Sequence, residues 1–407
     1  MVARMPPPET KPEGNFVEVF LAFLKLGLTS FGGPVAHLGY FRREFIARRG
    51  WLDEPAFADL VGLCQFLPGP ASSQTGFALG LMRAGYGGGL AAWLGFTLPS
   101  AILLTIFAFL GGALSGPLGQ GFLHGLKLVA VAVVAQAVWG MARSLCPDRP
   151  RAALAVAAAL IALLAPTALA QIAAIAAGAM AGLLLRRPVA EMAPAPLAVP
   201  VSKTAGAVAL GLFFLLLAGL PLASRLWPAD HAIAEAAAFW RSGALVFGGG
   251  HVVLPLLQAA VVHPGWVDAN TFLSGYGAAQ AVPGPLFTFA AYLGAVMQPG
   301  PNGLQGALLC LLAIFLPGLL LVMGMLPFWH GLRRRKTARA AMQGANAAVV
   351  GLLLAALYNP VWVSAITKPG DFALALLGFA LLTIAEVPPL AIVLLLAAGG
   401  MIQASLS

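Results

Sequence analysis

Apolar residues in this chain run on without a break, neither striped along one helical face nor alternating. Leu90–Leu114, Gly121–Met141, Ala152–Leu185, Thr204–Ala223, Gly303–Leu326 and Ala345–Leu357 follow the pattern of about 20 apolar residues per membrane-spanning helix. A transmembrane β-barrel would need strict in–out alternation, which is absent. The expectation is an all-α polytopic membrane protein of about 10–13 membrane elements.

The pattern occurs twice. Leu26-Gly27-Leu28-Thr29-Ser30-Phe31-Gly32-Gly33-Pro34 recurs as Ser242-Gly243-Ala244-Leu245-Val246-Phe247-Gly248-Gly249-Gly250, and Gln65-Phe66-Leu67-Pro68-Gly69-Pro70 recurs as Gln280-Ala281-Val282-Pro283-Gly284-Pro285. The copies lie roughly 215 residues apart. Paired hydrophobic halves interrupted at matching Gly/Pro positions mark a transporter whose site lies between its repeats. The expected division is a polar tail (1–15), a first repeat (16–185), a Pro/Ala-rich linker (186–203), an unpaired helix (204–223) and a second, inverted repeat (232–407).

Charge supplies the orientation. Hydrophobic residues make up 60% of the chain and charged residues only 9%, against about a quarter charged in a soluble domain. A net charge of +9 would suggest nucleic acid as partner for a soluble protein. Here the basic residues stand at the ends of apolar runs, so the lipid bilayer is the partner and they report topology. Arg42, Arg43, Arg48, Arg49, Arg83, Arg143, Arg151, Arg186, Arg187, Lys203, Arg333–Arg335, Lys336 and Arg339 all fall on the cytoplasmic side if the second half is inverted. Arg225 and Lys368 fall on the other side. The segment after Phe31-Gly32-Gly33 carries four arginines and its counterpart up to Trp266 carries none, as opposite faces would produce.

The same bookkeeping makes Phe16–Arg49 and Pro55–Arg83 re-entrant hairpins bent at Phe31-Gly32-Gly33-Pro34 and Pro68-Gly69-Pro70. Proline removes a backbone donor and glycine admits strained dihedrals, so both motifs break a helix. Broken backbone at membrane depth survives only where protein or a cavity receives it. The alternative, with Phe16–Leu38 spanning fully, gives about thirteen spans.

Chemistry centres on these breaks. Lys25 and Arg241 stand at matching positions six residues before the Phe-Gly-Gly bends. Intramembrane cations cost about 2.5–3.5 kcal/mol on insertion scales, so anion binding is the default expectation, with snorkelling or carboxylate pairing as the alternative. Lys127 is a third cation, but its counterpart is Asn346. Half-helices starting after Phe31, Gly32 and Gly33, after Pro68, Gly69 and Pro70, and after their equivalents Phe247, Gly248, Gly249, Pro283, Gly284 and Pro285 present amide donors and a positive dipole end to an anion. Gln65 and Gln280 add neutral donors. Ser72 and Ser73, with Gln74 and Thr75, follow only the first Pro-Gly-Pro and bind either the anion or their own helix carbonyls.

Other residues read as structural. Asp53 and Asp268 suit helix caps, with Trp51 and Trp266 as interfacial anchors. His37 and His251 read as satisfied interfacial histidines with a proton relay as the alternative, Glu386 as a turn residue or weak proton carrier, and Cys64, Cys146 and Cys310 as buried thiols with no metal-ligand spacing. The N-terminal tail has no signal-peptide core. No nucleotide-binding, metalloprotease or hydrolase motif is present, so neither an enzyme nor a cofactor or metal site is expected.

These motifs, with Gly50-Trp51-Leu52, resemble the chromate ion transporter (CHR) family in its long two-repeat form, over nearly the whole chain from about Phe16. Gly250 departs from the first repeat's Pro34. The resemblance implies efflux of chromate across the bacterial inner membrane, chromate resistance, and sulfate as structural analogue and competitor. Single-repeat members act in pairs, and a homodimer is a plausible assembly here. A dianion leaving a cell gains about 2.3 kcal/mol per charge per 100 mV, roughly 4.6 kcal/mol in all. Potential alone is enough to support export and proton antiport would add to it; the sequence shows no unambiguous proton carrier, so the coupling is left open.

Overall fold

In the computed structural model, which describes residues 14–31, 33–111, 116–165, 167–185, 200–247, 250–332 and 335–406, the apolar runs are helices and no strand occurs among the described residues. The first half contains α1 (Phe16–Thr29), α2 (Gly33–Phe41, prolonged by a π-helical stretch Arg42–Arg48), α3 (Glu54–Phe66), α4 (Ala71–Leu110), α5 (Pro117–Leu145), α6 (Arg149–Leu164) and α7 (Ala168–Leu185). After α8 (Lys203–Leu226) come α9 (His231–Ala244), α10 (Val253–Leu257, prolonged by Gln258–Val262), α11 (Ala269–Ala281), α12 (Phe289–Val296) and α13 (Gly303–Met325). A short α14 (Trp329–Leu332) leads to α15 (Lys336–Ala356), α16 (Val363–Ala365), α17 (Pro369–Thr383) and α18 (Pro389–Leu406). Among the described residues α4, α5, α8, α13 and α15 with its continuation are long and apolar enough to cross a membrane. The run Ala152–Leu185 divides into α6 and α7 around Ala165–Thr167.

Ion pairs settle how the first breaks are used. Glu18 opens α1, Arg49 follows the second arm, and Arg83 ends the arm that begins at Ala71. Arg83 Nη2 lies 3.2 Å and Arg49 Nη1 4.0 Å from Glu18 Oε1. Both guanidiniums stand over Trp51, at 5.4 and 5.6 Å from the ring centroid, and Gly14 N donates to Arg83 O at 3.1 Å. Three chain ends therefore meet at one face, so α1–α2 and α3 with the first segment of α4 are hairpins that return to the face they left. Within the first hairpin Phe23 stacks on Phe45 at 4.6 Å and meets Phe41 edge-on at 5.5 Å. Ala84 (φ −141°) and Gly85 (φ +63°) then redirect α4 into its long second segment.

The second half repeats this construction. Gln298 N donates to Trp266 O at 3.0 Å, and Pro228 and His231 at the start of α9 share one cleft with Gly300 and Pro301. Asp53 caps α3 through Ala56 N at 2.9 Å, and Asp268 caps α11 through Asn270 N at 2.9 Å and Thr271 N at 3.0 Å. Both caps match the sequence expectation.

The halves point opposite ways. The second segment of α4, at 1.5 Å per residue, carries the chain about 37 Å from the Arg83 face. At its far end Phe107 stacks on Tyr292 of α12 at 5.7 Å. Conversely, α13 ends beside the first half's α3: Trp329 Nε1 donates to Asp59 Oδ1 at 3.0 Å, and its ring lies 5.6 Å from Phe66. Each half's hairpins thus sit at the far end of the other half's long helix.

Packing exchanges partners in the same reciprocal way. Helix α5 lies against α17 and α18, and α15 lies against α6 and α7. Without a hydrophobic force between helices in lipid, small residues let backbones approach. Gly121 and Gly125 of α5 face the α18 backbone at Gly400 and Leu396, and Gly344 of α15 faces Gly178 and Gly182 of α7. Helix α8 packs on α9 and α13.

Two sequence expectations need correction. Cys64 and Cys310 are buried, but Cys146 is only half-buried because it ends α5 at a surface turn. His37 is buried, at 1% exposure, because the hairpin folds it against α4. It is no interfacial residue. Glu386 is an exposed turn residue at φ +51°. Residues 1–13, most of the 186–203 linker, and Gly32, Gly248 and Gly249 of the two bends lie outside the described residues.

Candidate functional site

The four breaks meet, each docking on a break of the other half. Gly69 N donates to Val246 O at 2.7 Å, and Gly284 N donates to Ser30 O at 2.9 Å. Gly69 and Gly284 are equivalent in the repeats, as are Ser30 and Val246, so the two bonds are copies of one contact. The glycines are required by conformation and space: φ is +125° at Gly69 and +102° at Gly284. A Cβ on Gly69 would stand 2.8 Å from Gln74 Nε2 and 3.1 Å from Gly318 Cα, and one on Gly284 2.8 Å from Ser100 Oγ.

These glycine amides are consumed by the junction, and the available donors come one step later. Pro70 gives α4 no side-chain cap. The first intrahelical bond is Gln74 N to Pro70 O at 2.9 Å, so the amides of Ala71, Ser72 and Ser73 precede the ladder. Ser72 and Ser73 are buried. Ser30 Oγ, Ser73 Oγ, Gln74 Oε1, His37 Nε2 and Gln280 Nε2 are buried atoms with no hydrogen-bond partner among the described residues. Such groups are costly unless something pairs with them. His37 is held by a 3.4 Å contact from Nδ1 to Ser72 Oγ and by an edge-on contact with Phe96 at 5.1 Å.

The second half is built alike with fewer hydroxyls. Pro285 also provides no side-chain cap, and Thr288 Oγ1 is spent on Pro285 O at 2.7 Å. His251 Nδ1 lies 2.9 Å from Tyr276 Oη. His251, Gln280, Gly284, Leu286, Gly33 and Pro389 line a cavity of about 20 Å³. That is room for about one water molecule. The junction is therefore closed to any four-oxygen anion in this conformation.

The remaining predicted residues distribute unequally. Pro68, Pro70, Pro283 and Pro285 shape the two bends, and Phe31 and Phe247 are half-buried beside them. Gln65 is exposed on α3, whereas Gln280 has its amide nitrogen at the junction. Lys25 Nζ pairs with Glu44 Oε2 at 3.3 Å, with the Lys25 side chain 54% exposed. This is the carboxylate pairing that the sequence left as its alternative. Glu44 also accepts from Arg48 Nη1 at 2.9 Å and Arg49 Nε at 2.8 Å. Desolvation opposes ionisation of Glu44, yet hydrogen bonds from Arg49, Arg48 and Lys25 outweigh it and hold the carboxyl at about 2. In the second half Ala260 stands where Glu44 would be. Arg241 is half-buried, and no ion pair to it is found among the described residues.

Sequence reasoning missed three features. Glu44 lies on the opposite hairpin arm from Lys25, so only the folded hairpin reveals the pair. Glu235 is buried at 1% exposure with Cys310 Sγ 3.9 Å from its Oε2. Pro99 and Pro317 interrupt the two long helices at matching sites, next to Ser100 and Gly318, which receive the bends. The recurrence of Leu98-Pro99-Ser100 as Leu316-Pro317-Gly318 was the available signal.

Interlocked helical halves of opposite direction, with broken backbone buried at their junction, define the inverted-repeat class of membrane carriers. Within that class the chain belongs to the chromate transporter family, whose model matches residues 17–183 and 233–402. It is 29% identical over 372 residues to a chromate transport protein of Pseudomonas aeruginosa, covering 90% of this chain and 84% of that protein. A chromate transport protein of Cupriavidus metallidurans is 24% identical over 355 residues, 86% of this chain and 83% of that protein. The uncharacterized transporter YwrB of Bacillus subtilis is 34% identical over 174 residues, which is 40% of this chain but 83% of that protein. A relative thus exists at about the length of one half. No solved structure matches the chain.

Proposed function

We propose that this protein is a secondary carrier that exports chromate across the bacterial inner membrane, with residues 16–185 and 232–407 as its two transporting repeats. The observation that carries the reading is the reciprocal junction, Gly69 N to Val246 O and Gly284 N to Ser30 O. It gathers buried donors from both halves and brings no carboxylate with them among the described residues. The amides of Ala71, Ser72 and Ser73, the Ser73 hydroxyl, His37, His251 and Gln280 bind the tetrahedral anion when the junction opens, and Arg241 supplies the long-range positive field. Family membership and the chromate transport proteins among its relatives support the cargo. The arginine-rich face is cytoplasmic under the positive-inside rule. Export then follows the potential, which favours an outgoing dianion by roughly 4.6 kcal/mol per 100 mV.

Everted vesicles containing the protein test this reading. Potential-stimulated, saturable chromate accumulation, inhibited by excess sulfate, is the expected result. Accumulation no greater than in vesicles lacking the protein refutes it, and sulfate uptake without chromate uptake reassigns the cargo.

A further inference from the structure

A further cavity lies away from the junction, at the face opposite Arg83. It measures about 770 Å³ and opens between the end of α4, the first turns of α5, α11 and the start of α17. Lys127, His124, Asn270, Thr271, Ser274 and Lys368 line it, and among the described residues no aspartate or glutamate does. Two carboxylates stand behind the wall, and both are engaged. Asp371 accepts from His124 Nε2 at 2.9 Å, Thr367 N at 3.0 Å, Thr367 Oγ1 at 2.8 Å and Lys368 N at 3.1 Å. Asp268 caps α11. Lys127 Nζ has one hydrogen-bond acceptor among the described residues, the neutral Asn270 Oδ1 at 3.1 Å. An ammonium has three donors. Two remain for a ligand in a cavity whose other polar walls are hydroxyls, the side-chain amides of Gln120 and Gln403, the His124 ring and a second lysine.

The pseudo-symmetry shows that this charge is not a requirement of the architecture. At the opposite face Asn346 occupies the position of Lys127, and Asp59 that of Ser274. A lysine needed for helix packing would recur in the other half. One helix runs from the cavity to the junction: Asn270 and Gln280 lie on α11, about 15 Å apart at 1.5 Å per residue.

We propose that this cavity is a second anion site, on the extracytoplasmic side, in which Lys127 holds a tetrahedral oxyanion between the junction and the outer solution. The inference rests on the transport reading above. In right-side-out vesicles loaded with unlabelled chromate, exchange against external radiolabelled chromate gives the half-saturating concentration on this side. Lys127→Asn, which installs the residue of the other half, raises it about tenfold, the loss expected for one charge-assisted hydrogen bond. Lys127→Arg keeps it near wild type, and neither variant changes the half-saturating concentration from the cytoplasmic side in everted vesicles. If wild type shows no exchange, the transport reading fails. If wild type exchanges and Lys127→Asn matches it on both sides, the second site fails while the transport reading stands. A measurement on the unmodified protein covers a variant that does not reach the membrane. Saturating sulfate slows acylation of Lys127 by a water-soluble amine reagent, read by mass spectrometry, and an unchanged rate overturns the proposal.

Discussion

Gly27→Ala is the substitution whose consequence the structure defines best. A Cβ at Gly27 would lie 2.5 Å from Gly95 O, 3.0 Å from Phe96 O and 3.1 Å from Phe96 Cα. Carbon–oxygen contacts settle at about 3.3–3.6 Å, so α1 or α4 must retreat by about 0.8 Å. The obstructing atoms are backbone, and Gly95 is pressed in return against Phe20 O and Leu24 N. Overpacking of this kind costs about 1–3 kcal/mol, against a gain of about 0.5–1 kcal/mol for replacing glycine in a helix. The net loss is about 1–2 kcal/mol. Ser30, one turn on, receives the 2.9 Å bond from Gly284 N. A 0.8 Å shift there takes the bond beyond hydrogen-bonding distance. Gly211→Ala on α8 is the control, because nothing lies within 4 Å of its Cβ position. Thermal unfolding in detergent and chromate uptake in vesicles measure both variants. Gly27→Ala melts a few degrees lower and loses most uptake, whereas Gly211→Ala equals or exceeds wild type. Equal melting and uptake for the two variants refutes the reasoning.

Arg241→Ala lowers chromate uptake at least tenfold, whereas Lys25→Ala lowers it less than threefold, because Lys25 is already committed to Glu44; initial rates at matched expression decide this, and the reverse order contradicts it. Glu44→Gln costs about 1–2 kcal/mol at neutral pH, the scale of partly exposed pairs to one carboxylate. The folded Glu44 carboxyl is depressed to about 2 from 4.5, so its contribution is complete above about pH 4.5 and disappears as pH falls towards 2. The difference in melting temperature between wild type and Glu44→Gln closes over that window. Asp371→Ala removes the acceptor of four hydrogen bonds from a fully buried position and costs at least about 2 kcal/mol through the lost cap and the stranded donors. Detergent-solubilised yield and melting temperature read it, and wild-type values for both would contradict the assignment.

Much of this architecture is legible in the sequence because membrane insertion writes it there. Continuous apolar runs locate the helices, arginines mark one face, and helix breakers without polar flanks locate bends that must be buried. The repeat then supplies the second half. What the sequence conceals is the pairing across the junction. Nothing local to Pro68-Gly69-Pro70 says that its amide seeks the carbonyl before Phe247, because that partner is chosen by how inverted halves interlock. Lys25 and Glu44 are hidden for the same reason, being neighbours only across a hairpin. His37 carries no periodic signal that separates a buried histidine from an interfacial one. Burial follows from the return of its arm against Phe96. The cavity at Lys127 is assembled from α4, α5, α11, α12, α18 and the segment leading into α17, elements spread over most of the chain, and only its cation was visible beforehand.

The junction's energetics agree with a carrier that must open it. Two backbone hydrogen bonds of one kind link the halves at the junction, beside the bond from Gln74 Nε2 to Gly318 O at 3.0 Å, and each contributes about 0.5–1.5 kcal/mol net. Parting one of them to enlarge a 20 Å³ cavity is therefore a small step beside the roughly 4.6 kcal/mol that a 100 mV potential gives a departing dianion. Because the bonds are copies, parting one of them leaves an equivalent contact in place on the other side of the pseudo-symmetric junction. The helices around them are joined by backbone-to-backbone glycine contacts between α5 and α18 and between α15 and α7. The contacts that close the junction are thus a few hydrogen bonds, while the surrounding helix pairs α5–α18 and α15–α7 join the two halves through close backbone packing.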